Sequence, residues 1–416
     1  MTSASMPLDA AASVRHAPIA GTMLATGLLF LTVATSFYVL EEPSPHDLLM
    51  VATAGVLFAL GLRIPPGAAA PAACLSLVLV GYMIGGAGAR YIDLSIQFMQ
   101  ITAYLTVVFV FVTSVVAASP DRALRAVWGG YLAAAGLSAF LGVAAYLNAV
   151  PNADLLLGAG RAKAFFNDPN VYGPFLVAPT LYAIWRMTTR GATAALFLWG
   201  PLATLLALGL FLSFSRGAWA HLAVSTLVFA LLAVAAPETR GQRGRIMVIA
   251  IVLGLMISFA IAWALTIPAI RELLELRLGL QSYDTRQGGR FSGQFEALKT
   301  ALSHPFGIGP SNWGMIFGQD THNIYLNVFL GGGFISLAGL AGAFALTMIR
   351  GFRYALRGPR RGVFLVAYAT LAGLFLEGLI VDINHWRHMY WLMGMVWGLM
   401  LAAPPLPPTR SRAGLA

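Results

Sequence analysis

Five short stretches of this 416-residue chain gather side chains able to bind or move charge. In SFSRGAWA, Arg216 stands between two apolar runs, in a connection too short for anything but a tight turn. Arginine presents a planar fork of donors that suits phosphate oxygens, and it stays charged at any relevant pH. The plainer alternative is an arginine that snorkels to lipid headgroups and sets the depth of a span. In DTRQGGRFSGQ, Arg286 and Arg290 flank two glycines that let backbone amides approach a ligand closely. A helical pattern follows, and its first amides would add partial positive charge toward a phosphate. A solvated loop is the competing reading of the same residues.

The third stretch is DTHNIYLNVFLGGGFISL, where His322 precedes an apolar run and Asn323 stands where a cap would. A neutral imidazole accepts a proton near pH 7, so a histidine beside phosphate-binding arginines is a candidate general base. A histidine that merely starts a helix fits the pattern as well. The glycines from Gly331 to Gly333 predict a break into a short re-entrant or tilted piece. Irregular backbone at membrane depth is tolerated only when it is buried in protein or lines a cavity.

The fourth, GLIVDINHWRHMYW, sets Asp382, His385, Arg387 and His388 in one short connection. Neither the spacing nor a helix-face pattern matches a metal motif. The residues fit contact with a polar substrate or a lipid diphosphate, or structural anchoring by the interfacial aromatics Trp386, Tyr390 and Trp391. The fifth, GRAKAFFNDPNVYGPFL, places Arg161 and Lys163 before an Asn-Asp-Pro-Asn turn. That turn reads first as a helix cap, with the two cations adding to a positive field.

The elements that position these groups are membrane helices. With 58% hydrophobic and only 10% charged residues and a mean hydropathy of +0.77, the chain is no soluble domain. Its apolar residues come in runs long enough for bilayer helices, which predicts an all-α polytopic protein in a single integral membrane domain over residues 1–416. Twelve spans are expected, near 20–40, 48–62, 68–88, 94–118, 126–147, 170–187, 192–213, 218–236, 246–267, 334–349, 363–381 and 390–403. The first is long for a signal-peptide core and reads as a retained anchor. Cys74 is the one cysteine and lies in an apolar run, so neither an intramolecular disulfide nor a cysteine metal cluster is available. The net charge of +10 is scattered between apolar runs rather than drawn into a basic stripe, which argues against a nucleic-acid partner.

Alternating loops divide the charges unevenly. One side collects 16 arginines, among them Arg63, Arg125, Arg243, Arg353 and Arg412, against the acids Asp9, Asp121 and Glu238. The other side carries a small negative excess. The first is cytoplasmic by the positive-inside rule, with both termini on it. Half of the basic residues on the opposite side fall in one long loop, 268–321, between spans 9 and 10. Its stretches PAIRELLELRLGL and SGQFEALKTALSHPFG predict two short interfacial helices. Ionisable residues are nearly absent from span centres and gather at the external ends, which makes the outer membrane face the working surface. A carrier for lipid-linked sugars would instead line an internal cavity with charge, so this pattern counts against transport.

Taken in order, FNDPNVYGPFL, SFSRGAW, RFSGQFEALKTALSHPFGIGPSNW, THNIYLNVFLGGGFISL and the HWRH connection resemble the O-antigen ligase and polymerase superfamily of bacterial membrane glycosyltransferases. The resemblance runs from about Gly160 to Trp397. It implies a glycan carried on undecaprenyl diphosphate and handed, at the periplasmic face of the inner membrane, to an acceptor hydroxyl. By that resemblance Arg216 and Arg290 match the arginines that hold the diphosphate leaving group, and His322 matches the histidine that activates the acceptor. Arg286, Asn323, His385 and Arg387 are the further substrate-binding candidates. No metal or other cofactor is then required, and inversion at the anomeric carbon is expected. Ligases of the superfamily transfer a finished polymer to lipid A-core and its polymerases extend a chain by a repeat unit. The motifs overlap, with a slight leaning here to ligase.

Overall fold

The computed structural model describes residues 19–235, 265–278 and 289–402, with isolated positions between 255 and 263. The chain is all-α in its architecture, as its apolar periodicity requires. Helices α1 (Ile19–Ala34), α2 (Pro45–Ala59), α3 (Ala69–Ala87), α4 (Ile92–Ala118) and α5 (Pro120–Tyr146) come first. A two-stranded antiparallel hairpin follows, β1 (Leu157–Gly158) with β2 (Arg161–Ala162). Then come α6 (Pro169–Phe175), α7 (Val177–Thr189), the short α8 (Ala192–Ala194), α9 (Gly200–Leu212) and α10 (Arg216–Ala235). The described part of the long loop holds α11 (Pro268–Leu278), α12 (Arg290–Ser303) and α13 (Asn312–Phe317). The chain closes with α14 (Ile324–Arg357), α15 (Arg361–Glu377) and α16 (Arg387–Leu401).

Six described helices are long and apolar enough to cross a membrane: Pro66–Ala87, Ile92–Ala118, Pro120–Tyr146, Ala192–Leu212, Arg216–Ala235 and Ile324–Arg357. Others of the twelve expected spans are shorter helices, among them α2, α15 and α16. The expected span 246–267 falls mostly outside the described residues. Both expected short helices of the long loop are present as α11 and α12, and most of the turn between them lies outside the described residues.

The core sits around α16, whose residues from His388 to Leu399 are all buried. Its close seat on α4 depends on small residues: a Cβ on Gly394 would stand 2.7 Å from Val112 Cβ, and one on Gly398 2.5 Å from Val116 Cβ. Without a hydrophobic driving force between helices in lipid, such close packing and interhelical hydrogen bonds hold a bundle together. One such bond joins α16 to α14, where Trp397 Nε1 donates to Thr347 Oγ1 at 2.9 Å.

The triple glycine interrupts α14 as its sequence predicts. Gly332 (φ −141°) and Gly333 (φ +65°) are non-helical, which leaves a short first piece and a long second one. The backbone groups freed at the break are satisfied by the Pro305–Ile308 segment: Ile308 N–H donates to Leu330 O at 2.7 Å, and Phe334 N–H donates to Pro305 O at 3.0 Å. A Cβ on Gly333 would lie 2.0 Å from Pro305 O, so the position demands glycine twice, by conformation and by space. This docking fixes the far end of α12 against the piece of α14 that starts at the candidate base.

Candidate functional site

The turn Thr321–His322–Asn323 is held from both sides. Asp382, in the connection between α15 and α16, accepts from Thr321 Oγ1 at 3.0 Å, from the His322 N–H at 3.0 Å and from the Asn323 N–H at 2.9 Å. From α12, Gln294 Nε2 donates to Thr321 O at 3.2 Å and His322 O at 3.3 Å. Asn323 caps α14, its Oδ1 accepting from Tyr325 and Leu326 N–H while its Nδ2 donates to Leu379 O. Clamped in this way, His322 adopts φ +47°, a left-handed conformation that a non-glycine residue enters only when its surroundings impose it.

His322 lines a cavity of about 640 Å³ at one end of the bundle, together with Arg216 and Arg290. Both arginines are the first residues of helices, α10 and α12, so their positions on the wall follow from where those helices begin. The turn before α10 is tight: Phe214 has φ +47°, and Ser215 Oγ accepts from the Ala218 N–H at 3.3 Å. A third arginine joins them. Arg161, from β2, is buried, donates through Nε to Ser213 O at 2.8 Å and through Nη2 to Asn170 Oδ1 at 2.7 Å, and lines the same cavity. Three acids line the same space, Asp168, Asp320 and Asp382.

The chemistry available is therefore an anion seat of converging arginines beside an imidazole whose turn is anchored by a carboxylate. Burial pushes the Asp382 carboxyl up to about 6, with Asp320 adding to the rise, while the donors from Thr321, Asn323 and His322 pull the other way. Asp382 thus changes charge close to neutral pH, where the number of donors it can accept decides how firmly His322 is held. Among the described residues no trio of His, Cys, Asp or Glu side chains is close enough to hold a metal ion.

Three of the sequence-based candidates, Arg216, Arg290 and His322, meet in this cavity. Asn323 stands beside it as the helix cap, and Arg286 lies outside the described residues. His385 and Arg387, expected at the substrate, instead line a second cavity of about 290 Å³ between α2 and α4. Arg387 forks onto Asp47 at 2.7 and 2.6 Å and reaches Glu42 at 3.2 Å, so its donors are committed to holding the connection before α2. His385 stacks on Phe98 with ring centres 4.0 Å apart and meets Thr102 Oγ1 at 3.1 Å. Burial drives its pKa down to about 3, which leaves a neutral ring without a positive charge to offer a phosphate.

Two contributions were not foreseen in full. Gln294 lies one helical turn beyond Arg290 and so on the same face of α12, a spacing that in retrospect marks it. From the sequence, Arg161 reads only as part of a general positive field. The partner that aims it, the Ser213 carbonyl, is 52 residues away, and no local pattern shows that pairing.

Residues 201–341 match the family model described as O-antigen ligase. No curated protein matches the chain. The matched stretch holds Arg216, Arg290 and His322, the three motif residues that the cavity brings together. The remaining walls, from Arg161 to Val171 and from Ile380 to Trp386, come from outside it.

Proposed function

We propose, from the premise that residues 201–341 are an O-antigen ligase domain, that this chain transfers a glycan from undecaprenyl diphosphate to a hydroxyl of lipid A-core. The domain belongs with membrane glycosyltransferases of ligase or polymerase type. The observation that carries the finer reading is the meeting of Arg216, Arg290 and Arg161 with His322 in one cavity at the end of the bundle. In this reading the arginines hold the diphosphate as negative charge builds on the leaving oxygen, and His322 takes the proton of the attacking hydroxyl. The acceptor oxygen forms the new bond to the anomeric carbon as the bond to the lipid diphosphate breaks, with inversion. Asp382 positions His322 through its backbone N–H. The lining acids Asp168 and Asp320 are suited to accept hydrogen bonds from sugar hydroxyls.

Sidedness follows from the distribution of arginines in the loops. It supports a reading with both termini in the cytoplasm and the cavity at the periplasmic face of a bacterial inner membrane. The test is the glycan profile of a deletion strain, with lipid A-linked chains separated from carrier-linked ones by gel and mass spectrometry. A ligase leaves long polymer stranded on the carrier and bare lipid A-core. Single repeat units, stranded or attached to core, would mean a polymerase of the same superfamily, and an unchanged profile would contradict the transferase reading.

A further inference from the structure

Helix α12 has two faces of opposite character. Gly293, Ala297 and Ala301 recur every four residues and are buried, the alanines packing with Trp313, Phe329 and Leu330. On the other face Phe291, Phe295, Leu298 and Leu302 form a helical stripe that is 52%, 58%, 40% and 58% exposed. A run of large apolar side chains this open marks a contact with something apolar.

The two ends of the stripe say what that is. At its start, Phe291 lines the cavity next to Arg290. Beyond Leu302 the chain reaches Phe306, 61% exposed, which lies against the break in α14. There Phe334, 52% exposed and bonded through its N–H to Pro305 O, continues the apolar surface onto a helix of membrane-crossing length. A cationic seat is thus followed by an apolar helical stripe and, past the Ser303–His304 turn, by exposed Phe306 and Phe334, the latter on a helix of membrane-crossing length. That order of charge and then hydrocarbon complements a lipid diphosphate, with its head at the arginines and its chain along the helix.

We propose that the stripe Phe291–Phe295–Leu298–Leu302 seats the first units of the donor's isoprenoid chain and guides the chain from the cavity into the bilayer. The proposal rests on the reading of the donor as a polyprenyl diphosphate. It adds a chain subsite to the headgroup site. Lys299 lies 4.5 Å from the Phe295 ring and 2.9 Å from Glu296, so its charge flanks the stripe without interrupting it.

The test uses the full-length protein in phospholipid vesicles with a polyprenyl diphosphate that carries a diazirine on its third isoprene unit. Saturable labelling of peptides within 291–302 is expected. The exposed substitutions Phe295→Ser and Leu302→Ser together should lower that labelling by about fivefold, and the preference for a long-chain over a short-chain donor should shrink by about tenfold. Labelling spread over all lipid-facing helices, or an undiminished chain-length preference in the double variant, overturns the subsite. Because labelling needs no turnover, saturable labelling of 291–302 without any glycan transfer would support the stripe and count against the transferase reading. Transfer accompanied by labelling elsewhere would do the reverse.

Discussion

Two cavities draw on the α15–α16 connection, the smaller through His385 and Arg387 at its end and the larger through Asp382, and each holds both arginine and carboxylate. In the smaller one the charges answer each other: Arg387 is forked onto Asp47, and Ser44 and Asp47 close a capping box at the start of α2. In the larger one the carboxylate of Asp382 answers backbone instead, two N–H groups and one hydroxyl of the His322 turn. The first arrangement locks two connections together, and the second anchors the turn of a residue that lines the larger cavity. Residue type alone does not separate the two roles; what each charge is bonded to does.

The comparison makes its sharpest demand at the larger cavity. His322→Ala and Arg290→Ala should each lower transfer by about 10²–10⁴-fold while the protein reaches the membrane at normal levels, read by product gels and immunoblots. Near-normal product from either correctly inserted variant would remove that residue from the catalytic set.

Asp382→Asn comes next, because an amide offers one acceptor atom where the carboxylate offers two. A loss of about 3 kcal/mol in transition-state stabilisation, about a hundredfold in rate, is expected. Burial holds the Asp382 carboxyl up at about 6, so wild-type activity should climb from pH 5 to pH 7 as the carboxylate forms, and the asparagine variant should keep only the part of that rise that belongs to the base itself. Stability runs the other way. The folded-state value lies above the ordinary 3.8, so this group's contribution to stability declines as pH rises from about 4 to about 6 and is level above that. Thermal unfolding of wild type and variant at pH 5 and pH 7 checks the sign.

At the smaller cavity the effect should fall on stability first. Arg387 and Asp47 side chains are 14% and 11% exposed, so breaking the pair with Arg387→Ala should cost about 2 kcal/mol after allowance for solvent. Asp47→Ala/Arg387→Ala should cost less than the sum of the single changes, measured as a thermal-shift cycle. If Arg387→Ala instead left stability intact and abolished transfer, the division between the two cavities would be wrong. The smallest change is Asn323→Ala, which removes a helix cap and should cost about 1 kcal/mol with a modest loss of transfer.

Much of this was legible in the sequence. Apolar runs gave the helices because hydrocarbon length is a local property of composition, and the glycines at 331–333 announced the break in α14 by their lack of side chains. Arg216, Arg290 and His322 were legible as a set only through the resemblance of their motifs, because from spacing alone each reads equally as a span end, a solvated turn or a helix start. That His385 and Arg387 line the smaller cavity was not legible, since their neighbourhood in sequence says nothing of Asp47 or Phe98, residues about three hundred positions away that decide which cavity they face. Gln294 and Arg161 likewise gain their roles from distant carbonyls. Membrane-span count was the coarsest reading, because several helices here are too short to be recognised as spans from length alone.

The central claim is that one cavity holds both the diphosphate seat and the base. It is tested most directly by purified protein in vesicles supplied with a polyprenyl-diphosphate-linked glycan, following release of the polyprenyl diphosphate with and without acceptor. The account predicts acceptor-dependent release by wild type and its loss in both His322→Ala and Arg290→Ala. Release by wild type that persists undiminished in His322→Ala, with product still formed, would contradict it.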